Sequence, residues 1–136
     1  MKIMITGING SIGSVVADLM SKDHEVHGID VIKSGRPNTT HIDLADSVDD
    51  VSKAFEGMDI VLHLAADPRH DPWIGWKELM RPNMIATANV YSAAHKTGVR
   101  RFIFGGSMRV VAGYESEEPY ASIINGNYEG ILRAVS

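Results

Sequence analysis

The chain contains no cysteine, which excludes a disulfide framework and any metal site built on thiolates. A sequence without disulfides suits the reducing cytoplasm, where we expect this protein to reside. No apolar run reaches the roughly 18 residues of a membrane span. Residues 1–5 already have the pattern of a β-strand instead of a signal peptide, so we expect no contact with a membrane.

Concentrated positive charge is also missing. The formal net charge is −4 and the basic residues are scattered, which gives no footprint for nucleic acid. The histidines are dispersed as well. His24 and His27 lie close together, but they fall on a predicted strand without a carboxylate pattern around them, so we interpret them as packed or solvated and expect no metal site.

A glycine-rich turn directly follows the first apolar segment, in the sequence TGINGSIG of residues 6–13. Gly7 allows the strand to turn sharply, Gly10 lets the backbone approach a phosphate, and Gly13 lets the next helix pack closely. The N–H groups at the start of that helix attract an anion. These features predict a loop that binds the pyrophosphate of a dinucleotide and comprises Gly7, Asn9, Gly10, Ser11, Ile12 and Gly13.

The second predicted strand, Glu25 to Asp30, ends in a carboxylate. In this context an acidic side chain accepts hydrogen bonds from the adenosine ribose hydroxyls and repels a 2′-phosphate. Asp30 therefore favours NAD over NADP. Lys33 and Arg36 follow closely and could tolerate a phosphate, so NADP is disfavoured but not excluded.

The rest of the chain continues to alternate strands and helices, which is typical of an α/β protein. We predict one Rossmann-like domain over residues 1–136, a doubly wound parallel sheet of about five strands in the order 3-2-1-4-5 with helices on both faces. Residues 115–136 are expected to form an irregular or helical tail that covers the sheet edge. The remaining predicted elements are a short strand and turn at His41–Leu44, a helix with Ser47 as N-cap, strand Asp59–Ala66, a short helix Pro72–Met80, helix Asn83–Thr97 opened by Pro82, and strand Arg101–Gly106.

These motifs together resemble one known family. TGINGSIG, the aspartate that closes the second strand, HIDLAD, VLHLAADP, PNMIATANVYSAA and RRFIFGGSMRVVAG resemble the extended short-chain dehydrogenases/reductases, the NAD-dependent epimerases and dehydratases. Within that family the chain looks most like the branch that includes uronate dehydrogenases. The resemblance covers about residues 1–128.

Carried over residue by residue, the resemblance implies that the glycine loop holds the pyrophosphate and Asp30 the adenosine ribose. Asp43 with Leu44 would meet the adenine edge, although Asp43 could instead cap the turn before the next helix. The remaining contacts that it implies flank the nicotinamide-side ribose and phosphates, at Leu64, Ala65 and Ala66.

Two further residues match the part of the family site where chemistry occurs. Asn83, grouped here with the cofactor-binding residues, would support the floor of the active site, or it could simply begin a helix after Pro82. Ser107 would hydrogen-bond the substrate oxygen that undergoes redox change, or it could cap a loop. We take Ser107 as the one candidate catalytic residue.

The family moves its proton with a tyrosine whose pKa is lowered by a lysine four residues later, and this sequence lacks that pair. Its tyrosines are followed at the fourth position by His95, Glu118, Ile124 and Leu132. The sequence also ends before the segment that, by resemblance, would carry the catalytic helix and choose the substrate. The chain therefore looks like the amino-terminal half alone.

Three functions remain open. In the first, the chain binds NAD(H) as part of a dehydrogenase or epimerase that acts on a sugar or sugar-nucleotide, but it does not turn over alone. In the second, it is an active oxidoreductase whose base comes from a partner chain or from an unusual residue such as His63, His70 or Tyr114. In the third, it is a vestigial module for protein association. A homodimer is possible, because an uncovered fifth strand would offer an edge for pairing.

Overall fold

Five parallel strands form one sheet in the order β3-β2-β1-β4-β5 in the computed structural model. The structure describes residues 1–69, 71, 73–107, 116–118 and 120–126. The strands are β1 (Lys2–Thr6), β2 (Glu25–Asp30), β3 (Thr39–His41), β4 (Ile60–His63) and β5 (Arg101–Phe104). Ile5 of β1 lies in register with Gly28 and with Leu62. The predicted strand order and fold class are confirmed.

The first, second and fourth helices pack on the two faces of this sheet, because successive side chains of β1 point to opposite sides. Met4 belongs to a core that also contains the buried faces of the second and fourth helices, whereas Ile3 and Ile5 pack with the first helix. The helices are α1 (Ser11–Met20), α2 (Val48–Phe55), α3 (Trp76–Met80), α4 (Ala86–Lys96) and α5 (Tyr120–Ile124), with a π turn at Arg81–Ile85 between α3 and α4.

The chain divides into two units, Met1–Gly105 and Gly106–Ser136. The sheet and helices α1 to α4 belong to the first unit, and α5 belongs to the second. Residues 108–115, 119 and 127–136 lie outside the described residues, so the predicted role of the tail stays a prediction. Among the helices of the described residues, none combines the length and the apolar character needed to cross a bilayer.

Several strand boundaries were wrong, and the fifth strand ends at Phe104 instead of Gly106. Two others have a clear structural cause. The third strand begins at Thr39 instead of His41, because it pairs with Gly28–Asp30 and β2 ends at Asp30. The fourth strand ends at His63 instead of Ala66, because its neighbour β1 ends at Thr6 and the chain then turns away at Gly7. In both cases the length of the neighbouring strand determines the boundary, and the pattern of apolar residues in the sequence does not.

Pro82 does not open a helix. The helical path already begins at Trp76 and continues through the π turn to Lys96, with Pro82 inside that turn. Proline has no N–H to donate, and a local widening of the helix accommodates the lost hydrogen bond. The short helix expected from Pro72 begins at Trp76.

Helix α1 buries its small residues instead of its large ones. Gly13 and Ala17 face the sheet, whereas Ile12, Val15 and Leu19 are more than half exposed. The close approach to β1 selects this face, because a large side chain would not fit between helix and strand.

Candidate functional site

The glycine loop leaves β1 and passes directly over the chain that follows β4. Gly7 has a positive φ of 70° and donates its N–H to the Ile29 carbonyl at 2.8 Å. A Cβ on Gly7 would lie 2.7 Å from the Ala65 Cα. This position therefore requires glycine for two reasons, a left-handed backbone and a close backbone approach.

The loop then turns tightly into α1. The Gly10 N–H donates to the Gly7 carbonyl at 3.0 Å, and Gly10 is the N-cap of α1. A Cβ on Gly13 would lie 2.1 Å from the Gly7 carbonyl oxygen. Because a glycine cap has no side chain, it supplies no acceptor for the first-turn N–H groups, and the positive end of α1 is left available to an anion.

Asp30 is fixed beside this loop at the end of β2. The side chain is almost fully buried, its Oδ2 accepts from the Asn9 N–H at 2.9 Å, and its Oδ1 accepts from the Ile32 N–H at 2.8 Å. Each carboxylate oxygen keeps a further lone pair for a ligand hydroxyl. The carboxylate is thus held in one orientation before any ligand arrives.

Asn9 holds a neighbouring segment in place. Its Nδ2 donates to the Ile32 carbonyl at 2.8 Å, and its Oδ1 accepts from the Ser34 hydroxyl at 2.9 Å. The contacts recorded for the Asn9 side chain therefore tie the glycine loop to the chain after β2. The contact of Asn9 with the pyrophosphate, predicted from the sequence, stays a prediction.

A groove of about 360 Å³ opens at the carboxyl ends of β1, β2 and β4, where ligands bind in open α/β sheets. Eight of the predicted site residues line it, namely Gly7, Gly10, Asp30, Asp43, Leu44, Leu64, Ala65 and Ala66. Its wall also includes residues that the sequence analysis did not select: Val31, Ile32, Ile42, Asp67, Pro68, Pro82 and Ala86. Most of these residues could have been predicted from the sequence, because they come just after the end of a strand or face such an end.

Asn83 fixes the segment that follows β4. Its Oδ1 accepts from the Asp67 N–H at 2.8 Å, and its Nδ2 donates to the Asp67 carbonyl at 3.1 Å. The Asp67 carboxylate in turn pairs with the Arg69 guanidinium, which lowers the pKa of that carboxyl. Asn83 thus acts on the groove through the backbone of Asp67.

A chain of hydrogen bonds through His63 joins three elements beneath the groove. The Thr87 hydroxyl donates its single proton to the Asn83 carbonyl at 2.6 Å, so the contact of 2.9 Å between Thr87 and His63 Nε2 requires a proton on Nε2. Nδ1 of the neutral ring then accepts from the Thr6 hydroxyl at 2.6 Å, and the Thr6 oxygen accepts from the Ala65 N–H at 3.3 Å.

Burial keeps this histidine neutral. His63 is fully buried, and desolvation lowers its pKa from 6.5 to about 4. Both ring nitrogens already have partners, so His63 is not accessible to a substrate as a base. It instead holds the ends of β1 and β4 and the start of α4 in one arrangement.

Asp43 is engaged by an arginine that the sequence analysis did not select. Its Oδ1 accepts from the Ala45 N–H at 2.9 Å, which is the turn-capping role, and its Oδ2 accepts from the Arg81 guanidinium at 3.1 Å. Arg81 also pairs with Asp46, and both carboxylates raise the pKa of Arg81. Arg81 and these aspartates are far apart in the sequence, so no short sequence pattern predicts the ion pair.

The other predicted residues lie elsewhere. Ser11, Ile12 and Gly13 form the first turn of α1. Ser107 belongs to the second unit, so its catalytic assignment stays a prediction. His70 and Tyr114, considered as alternative bases, lie outside the described residues.

The model of the NAD dependent epimerase/dehydratase family matches residues 3–128. L-arabinose 1-dehydrogenase (NAD(P)(+)) of Haloferax volcanii is 34% identical over 109 residues, which cover 80% of this chain and 42% of that protein. The NAD-dependent glucose-6-phosphate dehydrogenase of the same organism is 28% identical, over 93% of this chain and 51% of its own length. The chain thus spans about half or less of these relatives.

A solved structure is also similar. A mutant of uronate dehydrogenase from Agrobacterium tumefaciens, complexed with NAD, superimposes with a TM-score of 0.67 at 26% identity, over 78% of this chain and 40% of that one.

Proposed function

Since this chain belongs to the NAD dependent epimerase/dehydratase family, we propose that it binds NAD in the groove at the carboxyl ends of β1, β2 and β4. In this proposal the chain is the dinucleotide-binding part of an oxidoreductase or epimerase that acts on a sugar or sugar-nucleotide. Relatives named as dehydrogenases of L-arabinose and glucose 6-phosphate, together with uronate dehydrogenase in complex with NAD, support the substrate class.

The observation that carries the proposal is the fixed Asp30 carboxylate beside the glycine loop. Two backbone N–H groups orient it on the wall of the groove, where it accepts hydrogen bonds from the two adenosine ribose hydroxyls. The pyrophosphate lies against Gly7, Gly10 and the first-turn N–H groups of α1. The adenine lies along the wall that contains Asp43 and Leu44.

The nicotinamide end of NAD extends along Leu64, Ala65 and Ala66 toward Asp67. Small side chains at the two alanines leave room for the ribose and phosphates. Asn83 holds the Asp67 backbone through two hydrogen bonds, and the Thr6–His63–Thr87 chain holds the Ala65 N–H. These residues position the wall of the groove, and NAD supplies hydride transfer when it is bound.

Proton transfer requires groups outside these 136 residues in this proposal. No tyrosine of the chain has a lysine four positions later, and His63 is buried with both ring nitrogens occupied. Ser107 remains the one candidate catalytic residue within these 136 residues. The chain alone therefore binds NAD(H) without turning over a sugar.

The binding proposal is tested with two variants at one position. Gly10→Asp and Gly10→Ser both place a good N-cap on α1, so both are expected to fold. Only aspartate puts a negative charge against the pyrophosphate, and we expect it to weaken NADH binding about a hundredfold relative to serine. Titration calorimetry with NADH measures both affinities. Affinities of both variants equal to that of the wild type, or a folded wild-type chain that does not bind NADH, would contradict the proposal.

The catalytic part is tested with the purified chain, NAD and each of three sugars: L-arabinose, glucose 6-phosphate and glucuronate. We expect no NADH formation above the rate without protein. Formation of NADH with any of them, lost in Gly10→Asp and retained in Gly10→Ser, would instead support an active enzyme with a non-standard base.

A further inference from the structure

The chain after β2 lines the groove at Val31 and Ile32 and then reaches Arg36, which forms an ion pair with α1. The Arg36 guanidinium donates to the Asp18 carboxylate at 2.7 Å, from the loop after β2 to the outer side of α1. The Arg36 side chain is 25% exposed, and that of Asp18 is 68% exposed. The arginine is therefore held against the protein by a carboxylate whose one hydrogen-bonding or ionic partner within the described part of the chain is Arg36.

The backbone of Arg36 is closely linked to Asp30. Its N–H donates to the Ser34 hydroxyl at 3.3 Å, and that hydroxyl donates to the Asn9 side chain at 2.9 Å. The Asn9 N–H in turn donates to the Asp30 carboxylate at 2.9 Å. Three consecutive hydrogen bonds thus connect Arg36 to the residue that meets the ribose in the proposed function.

An arginine near the ribose is the group that accommodates the 2′-phosphate of NADP in dinucleotide-binding folds. Here the neighbouring carboxylate offsets the charge of that arginine and fixes its direction. We propose that Asp18 is a specificity-determining residue, which holds Arg36 in an ion pair and thereby keeps the guanidinium from a 2′-phosphate. This inference rests on the proposed function, because it requires the ribose to lie at Asp30.

Two carboxylates then select against NADP by different routes. Asp30 repels the 2′-phosphate directly, whereas Asp18 withdraws the cation that would attract it. Lys33 is the other cation of this loop, and it is exposed. The experiment must therefore distinguish two causes of a higher NADPH affinity: the release of Arg36 from its ion pair, and the more positive net charge of the variant.

We would titrate NADH and NADPH into the wild-type chain, Asp18→Asn, Arg36→Gln and the double variant. Because an exposed ion pair is weak, we expect Asp18→Asn to raise NADPH affinity about threefold to fivefold. NADH affinity should stay within about twofold, since NADH carries no 2′-phosphate. In the Arg36→Gln background the gain should vanish, because the released cation is absent.

Asp49→Asn is the matched control. Asp49 pairs with Lys96 at 2.8 Å, and neither residue lines the groove. The control makes the same change in charge and also breaks an exposed ion pair, so it should leave the ratio of NADPH to NADH affinity unchanged. If wild-type NADPH binding is too weak to titrate, the same cycle is measured with Asp30→Asn, which removes the direct repulsion.

Three results would overturn the inference while leaving the proposed function intact: no gain with Asp18→Asn, an equal gain in the Arg36→Gln background, or an equal gain with Asp49→Asn. The last two would assign the effect to charge alone. A folded wild-type chain that binds neither dinucleotide would instead overturn the proposed function, and this inference with it.

Discussion

At the scale of single residues, the glycines of the first loop are not equivalent. Gly7 needs a left-handed backbone, whereas the constraint on Gly13 is space alone, since its φ is ordinary for a helix. A Cβ at Gly13 meets backbone atoms of the loop, which cannot rotate away as a side chain could. The spacing of the glycines predicted their positions, and the contacts explain why each is required.

We expect Gly13→Ala to lower the free energy of unfolding by about 1–3 kcal/mol, because its Cβ overpacks the loop against Gly7. Gly35→Ala is the control, since a Cβ there has no heavy atom within 4 Å, and its effect should stay below about 1 kcal/mol. Urea denaturation measures both. Equal stabilities would show that α1 does not need this close approach.

The buried His63 makes stability depend on pH. Its folded pKa of about 4 lies below the ordinary value of 6.5, so the unfolded chain binds the proton more readily. The neutral, buried His63 therefore contributes about 3 kcal/mol to the free energy of unfolding; this contribution is complete above pH 6.5 and is lost as the pH falls toward 4. Urea denaturation across this range should show the decline.

His63→Gln is the control for that measurement. Glutamine has no group that titrates in this range, so the variant should be less stable at neutral pH but nearly independent of pH between 6.5 and 4, apart from exposed groups shared with the wild type. A wild-type curve parallel to that of the variant would contradict a buried neutral histidine.

At the scale of elements, helix α2 begins where its sequence predicts. The Ser47 side chain accepts from the Asp50 N–H at 3.3 Å, and Asp49 and Asp50 occupy the first turn, where negative charge is favoured. The predicted N-cap is confirmed. Local chemistry suffices here because the capping group and the N–H lie three residues apart.

We expect Ser47→Ala to lower the free energy of unfolding by about 1 kcal/mol through loss of this cap. Ser47→Asp keeps an acceptor oxygen and should remain within a few tenths of a kcal/mol of the wild type. Chemical denaturation compares the three proteins. A loss of similar size in both variants would point to packing of Ser47 instead of capping.

The path from Trp76 to Lys96 shows the limit of such local signals. Pro82 has the sequence pattern of a helix start, yet the helix passes through it as a π turn. Asn83 and Thr87 within this path bond to Asp67 and His63. These contacts across the fold hold the helix just after the proline, and no spacing in the sequence encodes them.

At the scale of the whole molecule, a ligand that binds only the folded chain must stabilise it. NADH at about 100 times its Kd should add about 2.7 kcal/mol, which raises the Tm by roughly 10 °C for a domain of this size. Thermal denaturation with and without NADH measures the shift. Gly10→Asp should show almost none, and Gly10→Ser should keep a larger part of it, because the serine side chain is uncharged. A wild-type Tm independent of NADH would contradict the proposed site.

The family match confirms what the motifs predicted, over residues 3–128 against an expected 1–128. The predicted homodimer and the role of residues 115–136 remain predictions. Size-exclusion chromatography with light scattering would give the mass in solution, for comparison with the 14.8 kDa of one chain.

The sequence by itself determined the alternation of strands and helices, the glycine loop, the acidic end of β2 and the cap of α2. Each depends on residues that are close along the chain, whose spacing carries the physical signal. The tertiary structure decided where strands end, which face of α1 is buried, the paired state of Arg36 and Arg81, and the tautomer of His63. Those features depend on neighbours that are distant in sequence, and only folding brings them within contact distance.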